Sequence, residues 1–125
     1  MTENEIGRRL LGCALVVHKH LGPGLLESTY EACLAHELRK TGLPYQRQVT
    51  MPLVYDGETI ETGYRLDLLV ADSVVVEVKS VESLVAVHRA QLLGYLRLGG
   101  FRLGYLLNFN VSMFRNGIVR MANEL

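Results

Sequence analysis

Arg65-Leu66-Asp67-Leu68-Leu69-Val70-Ala71-Asp72-Ser73-Val74-Val75-Val76-Glu77-Val78-Lys79 is the stretch on which the reading of this chain turns. Two runs rich in leucine and valine flank a small polar group, as two paired strands require. Side chains alternate along a strand, so Glu77 and Lys79 share one face of the second run while Val74, Val76 and Val78 share the other. A half-exposed strand with its valines inward needs Glu77 and Lys79 only as solvated groups. Asp67 argues the other way. It stands among Leu66, Leu68, Leu69 and Val70, where an isolated carboxylate is costly unless compensated, and a divalent cation is one compensator.

The second reading carries a condition. If Asp67 faces Glu77, their Cβ atoms lie roughly 4.5 to 5.5 Å apart, near enough for both carboxylates to hold one Mg²⁺ or Mn²⁺. A two-residue turn at Asp72-Ser73 would set Asp67 opposite Val78 instead, because a register slip of one residue inverts every side chain. The metal reading therefore requires a three-residue turn, Ala71-Asp72-Ser73, or a bulge. Lys79 then orients and deprotonates an attacking water or steadies charge on a phosphoryl oxygen, and the Val78 carbonyl is a further oxygen donor. Hard oxygen donors without thiolate or imidazole favour Mg²⁺ or Mn²⁺ over zinc.

Outward from this pair, Val49, Met51, Leu53 and Tyr55 alternate as a strand up to the hairpin signal Asp56-Gly57, and Pro52 puts that strand at an edge. A further strand, Thr59 to about Thr62, leads through Gly63 into Arg65. Asn4 caps a helix running to about His20, Gly22-Pro23-Gly24 breaks it, and Leu26, Tyr30, Leu34 and Leu38 form the stripe of a second helix ending at Thr41-Gly42. Leu84 to Leu98 reads as a helix, the apolar run from Phe101 to Leu107 as a buried strand, and Asn116-Gly117 as a tight turn before a short strand near Ile118 to Met121. The expectation is one domain over residues 1–125: an N-terminal helical pair and a mixed sheet of about four to five strands with a crossover helix, an α/β (α+β) fold.

The chain of 125 residues is 49% hydrophobic and 7% aromatic, enough for one core and far from disorder. No apolar run reaches the ~18 residues of a membrane span, and the acidic start Met1 to Glu5 is unlike a secretory signal, so a cytoplasmic location is expected. Thirteen basic residues balance thirteen acidic ones, so no global positive field draws the chain onto nucleic acid, although one cleft can still be basic. Cys13 and Cys33 read as small apolar residues. His18, His20, Cys33 and His36 look like a zinc set, but His18 and His20 point far apart on a helix and read as surface imidazoles. Apolar helical surface left uncovered around Leu10 or Leu84 would support a homodimer.

Asp67, then Glu77-Val78-Lys79, then a helix carrying Gln91 and Tyr95, resembles the PD-(D/E)XK nuclease superfamily, whose restriction-endonuclease-like core is a mixed sheet flanked by helices. Gly24-Leu25-Leu26-Glu27-Ser28-Thr29-Tyr30 matches the signature of its small GxxExxY proteins. Arg65 to Val70, Gln91-Leu92-Leu93-Gly94-Tyr95 and Leu106-Leu107-Asn108-Phe109 extend the likeness over nearly the whole chain. Leu66 stands where the superfamily's name has proline.

The resemblance implies a metal site at Asp67 and Glu77, Lys79 as catalytic lysine, Glu27 as an acid from the preceding helix that joins Asp67 and Glu77 in holding Mg²⁺, and Gln91 assisting the water or a phosphate. It implies Mg-dependent hydrolysis of DNA or RNA, with a non-catalytic nucleic-acid- or protein-binding module on the same fold as the alternative. By the residues alone, Glu27 also suits a helix N-terminus through the dipole. Glu27, Tyr30 and Glu31 form one polar strip that either faces solvent or lines a cleft, and the resemblance turns Glu27 and Tyr30 toward the cleft. Tyr30, Arg65 and Tyr95 are the expected substrate contacts.

Overall fold

The computed structural model describes residues 1–125, the side chain of Thr62 excepted. Its elements are α1 (Glu3–Leu21), α2 (Glu27–Thr41), β1 (Tyr45–Tyr55), β2 (Glu58–Val70), β3 (Val74–Lys79), α3 (Ala86–Gly99), β4 (Leu103–Asn108) and β5 (Ile118–Ala122), with a 3-10 turn at Phe114–Gly117 before β5. The strands form one sheet in the order β1-β2-β3-β4-β5. All neighbours run antiparallel except β3 and β4, which are joined through α3 and run parallel, so the sheet is mixed as expected.

Local chemistry sets the element ends. Thr2, not Asn4, caps α1, its hydroxyl accepting the Glu5 N–H at 3.2 Å; the Asn4 amide oxygen instead accepts from Arg120 at 2.7 Å. α2 stops at Gly42 in a left-handed conformation, φ 78°. Asp56 and Gly57, φ 51° and 80°, make the tight hairpin turn. Gly63 does not divide β2 as the sequence suggested. A Cβ there would lie 2.5 Å from the Leu53 Cβ, so the glycine admits a close approach where β1 carries an irregularity between Met51 and Leu53.

Two cores enclose the sheet. On one face α1 and α2 bring Ile6, Leu10, Leu34 and Leu38 against Val74, Val76, Val78 and Leu107. On the other, α3 brings only Leu92 and Leu96 into the buried layer, against Leu69, Val75 and Leu106. At Gly104 a Cβ would sit 3.0 Å from both leucine methyls, so that glycine lets α3 lie close to β4. Leu10 is fully buried, which removes it from any dimer surface. His18 is also buried rather than at the surface: its Nε2 donates to the Val111 carbonyl at 2.7 Å and its ring stacks on Phe114. Among the described residues no helix is long and apolar enough to cross a membrane.

Side-chain alternation breaks at one place. Leu68 and Val70 lie in the α1/α2 core, whereas Leu66 lies in the α3 core. The partner strand does the same: Tyr45 packs against the α1/α2 core, Val49 and Met51 against the α3 core. The two strands turn over together at Gln48 and Asp67.

Candidate active site

β2 and β3 pair Leu68 with Val76, Leu69 with Val75 and Val70 with Val74, leaving Ala71-Asp72-Ser73 as a three-residue turn. Ala71 and Asp72 take φ 51° and 53°, and Ser73 closes the turn by donating its N–H to Val70 O at 3.0 Å. The odd register that two facing carboxylates require is therefore present. Past Leu68 and Val76 the carboxylates replace the backbone ladder. The Asp67 N–H donates to Glu77 Oε2 at 2.9 Å, and the Val78 N–H donates to Asp67 Oδ2 at 2.9 Å.

The solvated reading of β3 fails at Glu77, which is 5% exposed. Burial, then the charge of Asp67, pushes its carboxyl up to about 8, against the pull of the Asp67 N–H and of Lys79. Burial also raises Asp67, opposed first by the Val78 N–H, with Glu31 and Glu27 raising it further and Lys79 lowering it. Lys79 is thus within electrostatic reach of both acids, yet among the described residues it forms no ion pair of its own.

Glu27 opens α2, and its Oε2 accepts the Ser80 N–H at 3.0 Å just beyond β3. Ser80 Oγ in turn donates to Leu25 O at 2.6 Å, so the loop before α2 is latched to the end of β3. Buried Asn108 holds the next residue, its Oδ1 accepting the Val81 N–H at 3.1 Å and its Nδ2 donating to Val81 O at 3.0 Å. Among the described residues no three of His, Cys, Asp and Glu gather into a group able to hold a metal, so Glu27 stands near the pair without joining it. On α1 and α2, His20, Cys33 and His36 line one cavity, while His18 is buried apart against Phe114.

Tyr30 is not a cleft residue. It is fully buried, stacked on Phe109 with ring centroids 4.6 Å apart, and its hydroxyl donates to Gly22 O at 2.5 Å while accepting the Leu25 N–H at 3.1 Å. It shapes the Gly22-Pro23-Gly24 loop. Glu31, at 6% exposure, is a buried acid rather than part of a solvated strip, ion-paired to Arg47 at 3.0 Å and accepting from Gln48 Nε2 at 2.7 Å.

On the other side of the pair, α3 presents Tyr95. Burial raises its hydroxyl pKa, and the charges of Glu77 and Asp67 raise it further. Its ring stacks on Tyr64, centroids 5.0 Å apart. Gln91 and Arg65 are exposed, on α3 and on β2 opposite Thr50. Tyr64, Gln48 and Ser80 have no role in the sequence reading, and nothing in the sequence marks the unusual backbone at Gln48.

A family model for the PD-(D/E)XK nuclease superfamily matches residues 4–121. The chain belongs to the PD-(D/E)XK nuclease superfamily. No curated protein and no solved structure gives a significant match. The five-stranded mixed sheet with helices on both faces is the PD-(D/E)XK architecture, and the matched span takes in every residue from Glu27 to Tyr95 discussed above. The donor set suits a hard divalent cation. In this PD-(D/E)XK chain the buried Glu77 and the half-buried Asp67 face each other with, among the described residues, only N–H donors as hydrogen-bond partners, and their mutual repulsion is what a cation would relieve. Two carboxylates with few other protein donors match Mg²⁺, which keeps several of its waters.

Proposed function

We propose that the chain is a Mg²⁺- or Mn²⁺-dependent nuclease that hydrolyses phosphodiester bonds of DNA or RNA. The observation that carries this reading is the facing pair of half-buried Asp67 on β2 and buried Glu77 on β3, with Lys79 next on β3. Asp67 and Glu77 would hold the cation together with the Val78 carbonyl, which leaves the strand on the same edge as the N–H that donates to Asp67. When bound, the ion supplies a Lewis acid for the scissile phosphate and lowers the pKa of a water.

The chain's own residues do the rest. Lys79 aligns the attacking water and steadies negative charge growing on the phosphoryl oxygens. Gln91, exposed on α3, contacts the water or a phosphate oxygen, and the Tyr95 hydroxyl and Arg65 bind the substrate backbone. Glu27 fixes Ser80 and adds negative charge near Asp67, which favours a cation. Tyr30 keeps the loop carrying Glu27 in place.

The test is cleavage of single-stranded, duplex and branched DNA and RNA with Mg²⁺ or Mn²⁺, by wild type and by Lys79→Ala. Cleavage by wild type, lost in a folded Lys79→Ala, is the expected result. Binding without cleavage by wild type would leave a nucleic-acid-binding module on the same fold.

A further inference from the structure

Gln48 lies within β1 with φ 52°, a left-handed conformation that a residue other than glycine adopts only under strain and that collects at functional sites. In register it falls between Arg47↔Leu68 and Val49↔Leu66, directly opposite Asp67, and that one pair is missing from the ladder. It is also the point at which both strands turn their faces over. The conformation is held from outside the sheet: Gln48 Nε2 donates to Glu31 Oε1 at 2.7 Å, and Arg47 Nε grips the other oxygen of the same buried carboxylate at 3.0 Å.

The backbone of β2 shows what this achieves. The Ala71 N–H donates toward the β1 side, to Pro44 O, at 2.8 Å. Strand N–H groups alternate between edges, so regular pairing would send the Asp67 N–H to β1 as well. It goes instead to the Glu77 carboxylate. We infer that Gln48, pinned by Glu31, is a positioning residue: its left-handed turn withdraws β1 from Asp67, releasing the Asp67 amide to Glu77 and the Asp67 carboxylate to Val78. The inference rests on the metal-site reading for its purpose, but not for its geometry.

Two substitutions separate this backbone role from mere packing. Gln48→Gly keeps the left-handed conformation without strain, while Gln48→Val, β-branched, favours the regular strand. Calorimetry with Mn²⁺ should show affinity within a few-fold of wild type for Gln48→Gly and a loss of at least ~10-fold for Gln48→Val, as for residues that orient metal ligands. Hydrogen exchange and the amide chemical shift of Asp67 in metal-free protein should change in Gln48→Val and not in Gln48→Gly. Wild-type failure to bind Mn²⁺ would count against the metal site alone, and the Asp67 amide would still judge the positioning role. An unchanged amide in folded Gln48→Val, or an equal change in both variants, overturns the inference. Should Gln48→Val not fold, Gln48→Ala, strained at the same φ without the amide anchor, serves in the same comparison.

Discussion

Glu77 is nearly removed from water and faces Asp67, so the native protein retains a proton that the unfolded chain gives up. Its carboxyl moves from 4.5 to about 8, and a group whose pKa rises on folding stabilises most below its unfolded value and loses that contribution as pH climbs through its folded one. The metal-free protein should therefore lose stability, on the order of a few kcal/mol, between about pH 4.5 and about pH 8. The shift of Asp67 acts in the same direction. Thermal melts in a chelator across this range should show the fall, and Glu77→Gln should flatten it and be the more stable protein at pH 8. Equal pH dependence in both proteins would mean that Glu77 is solvated. Lys79→Ala should leave stability almost unchanged, since among the described residues Lys79 forms no ion pair, yet reduce cleavage by roughly 100-fold or more.

Elements were legible in the sequence wherever a local signal set them. Asp56-Gly57 marked the hairpin, Gly42 the end of α2, and the unbroken apolar run a strand buried on both faces, because turn chemistry and burial act within a few residues. The pairing of Asp67 with Glu77 could be posed as a question of odd or even register, but only the turn itself answers it. Deleting Asp72 should invert β3, carry Glu77 to the opposite face and abolish cooperative unfolding, which circular dichroism would report. The stripe Leu26, Tyr30, Leu34 and Leu38 already places Tyr30 on the apolar face, and it is the resemblance that turns it toward the cleft; its burial is against Phe109, far along the chain. Tyr30→Phe leaves Gly22 O and Leu25 N–H without their partner and should cost about 1–3 kcal/mol in urea unfolding. No change in that measurement would return Tyr30 to the cleft. Gln48 carried no signal at all, since a left-handed residue in a strand is imposed by tertiary contacts.

Taken whole, the molecule is asymmetric. Two helices and a thick core support one face of the sheet, and a single helix with two buried leucines covers the other. The acids sit where β2 and β3 part, with Glu27 of α2 latched to Ser80 just beyond β3 and Tyr95 of α3 feeling the charge of both. Net neutrality gives no general attraction to nucleic acid, so the proposed recognition rests on this locality: Lys79, Arg65, and α3, which contains arginine but no aspartate or glutamate. Family membership explains the fold, and the paired acids are the ground for the proposed cation. Titration calorimetry of Mn²⁺ into wild type, Asp67→Ala and Glu77→Ala at pH 8 addresses the cation most directly. The account predicts saturable binding by the wild type that each substitution removes, in proteins that remain folded. Absence of binding by the wild type at millimolar Mn²⁺, or binding that survives both substitutions, would contradict it.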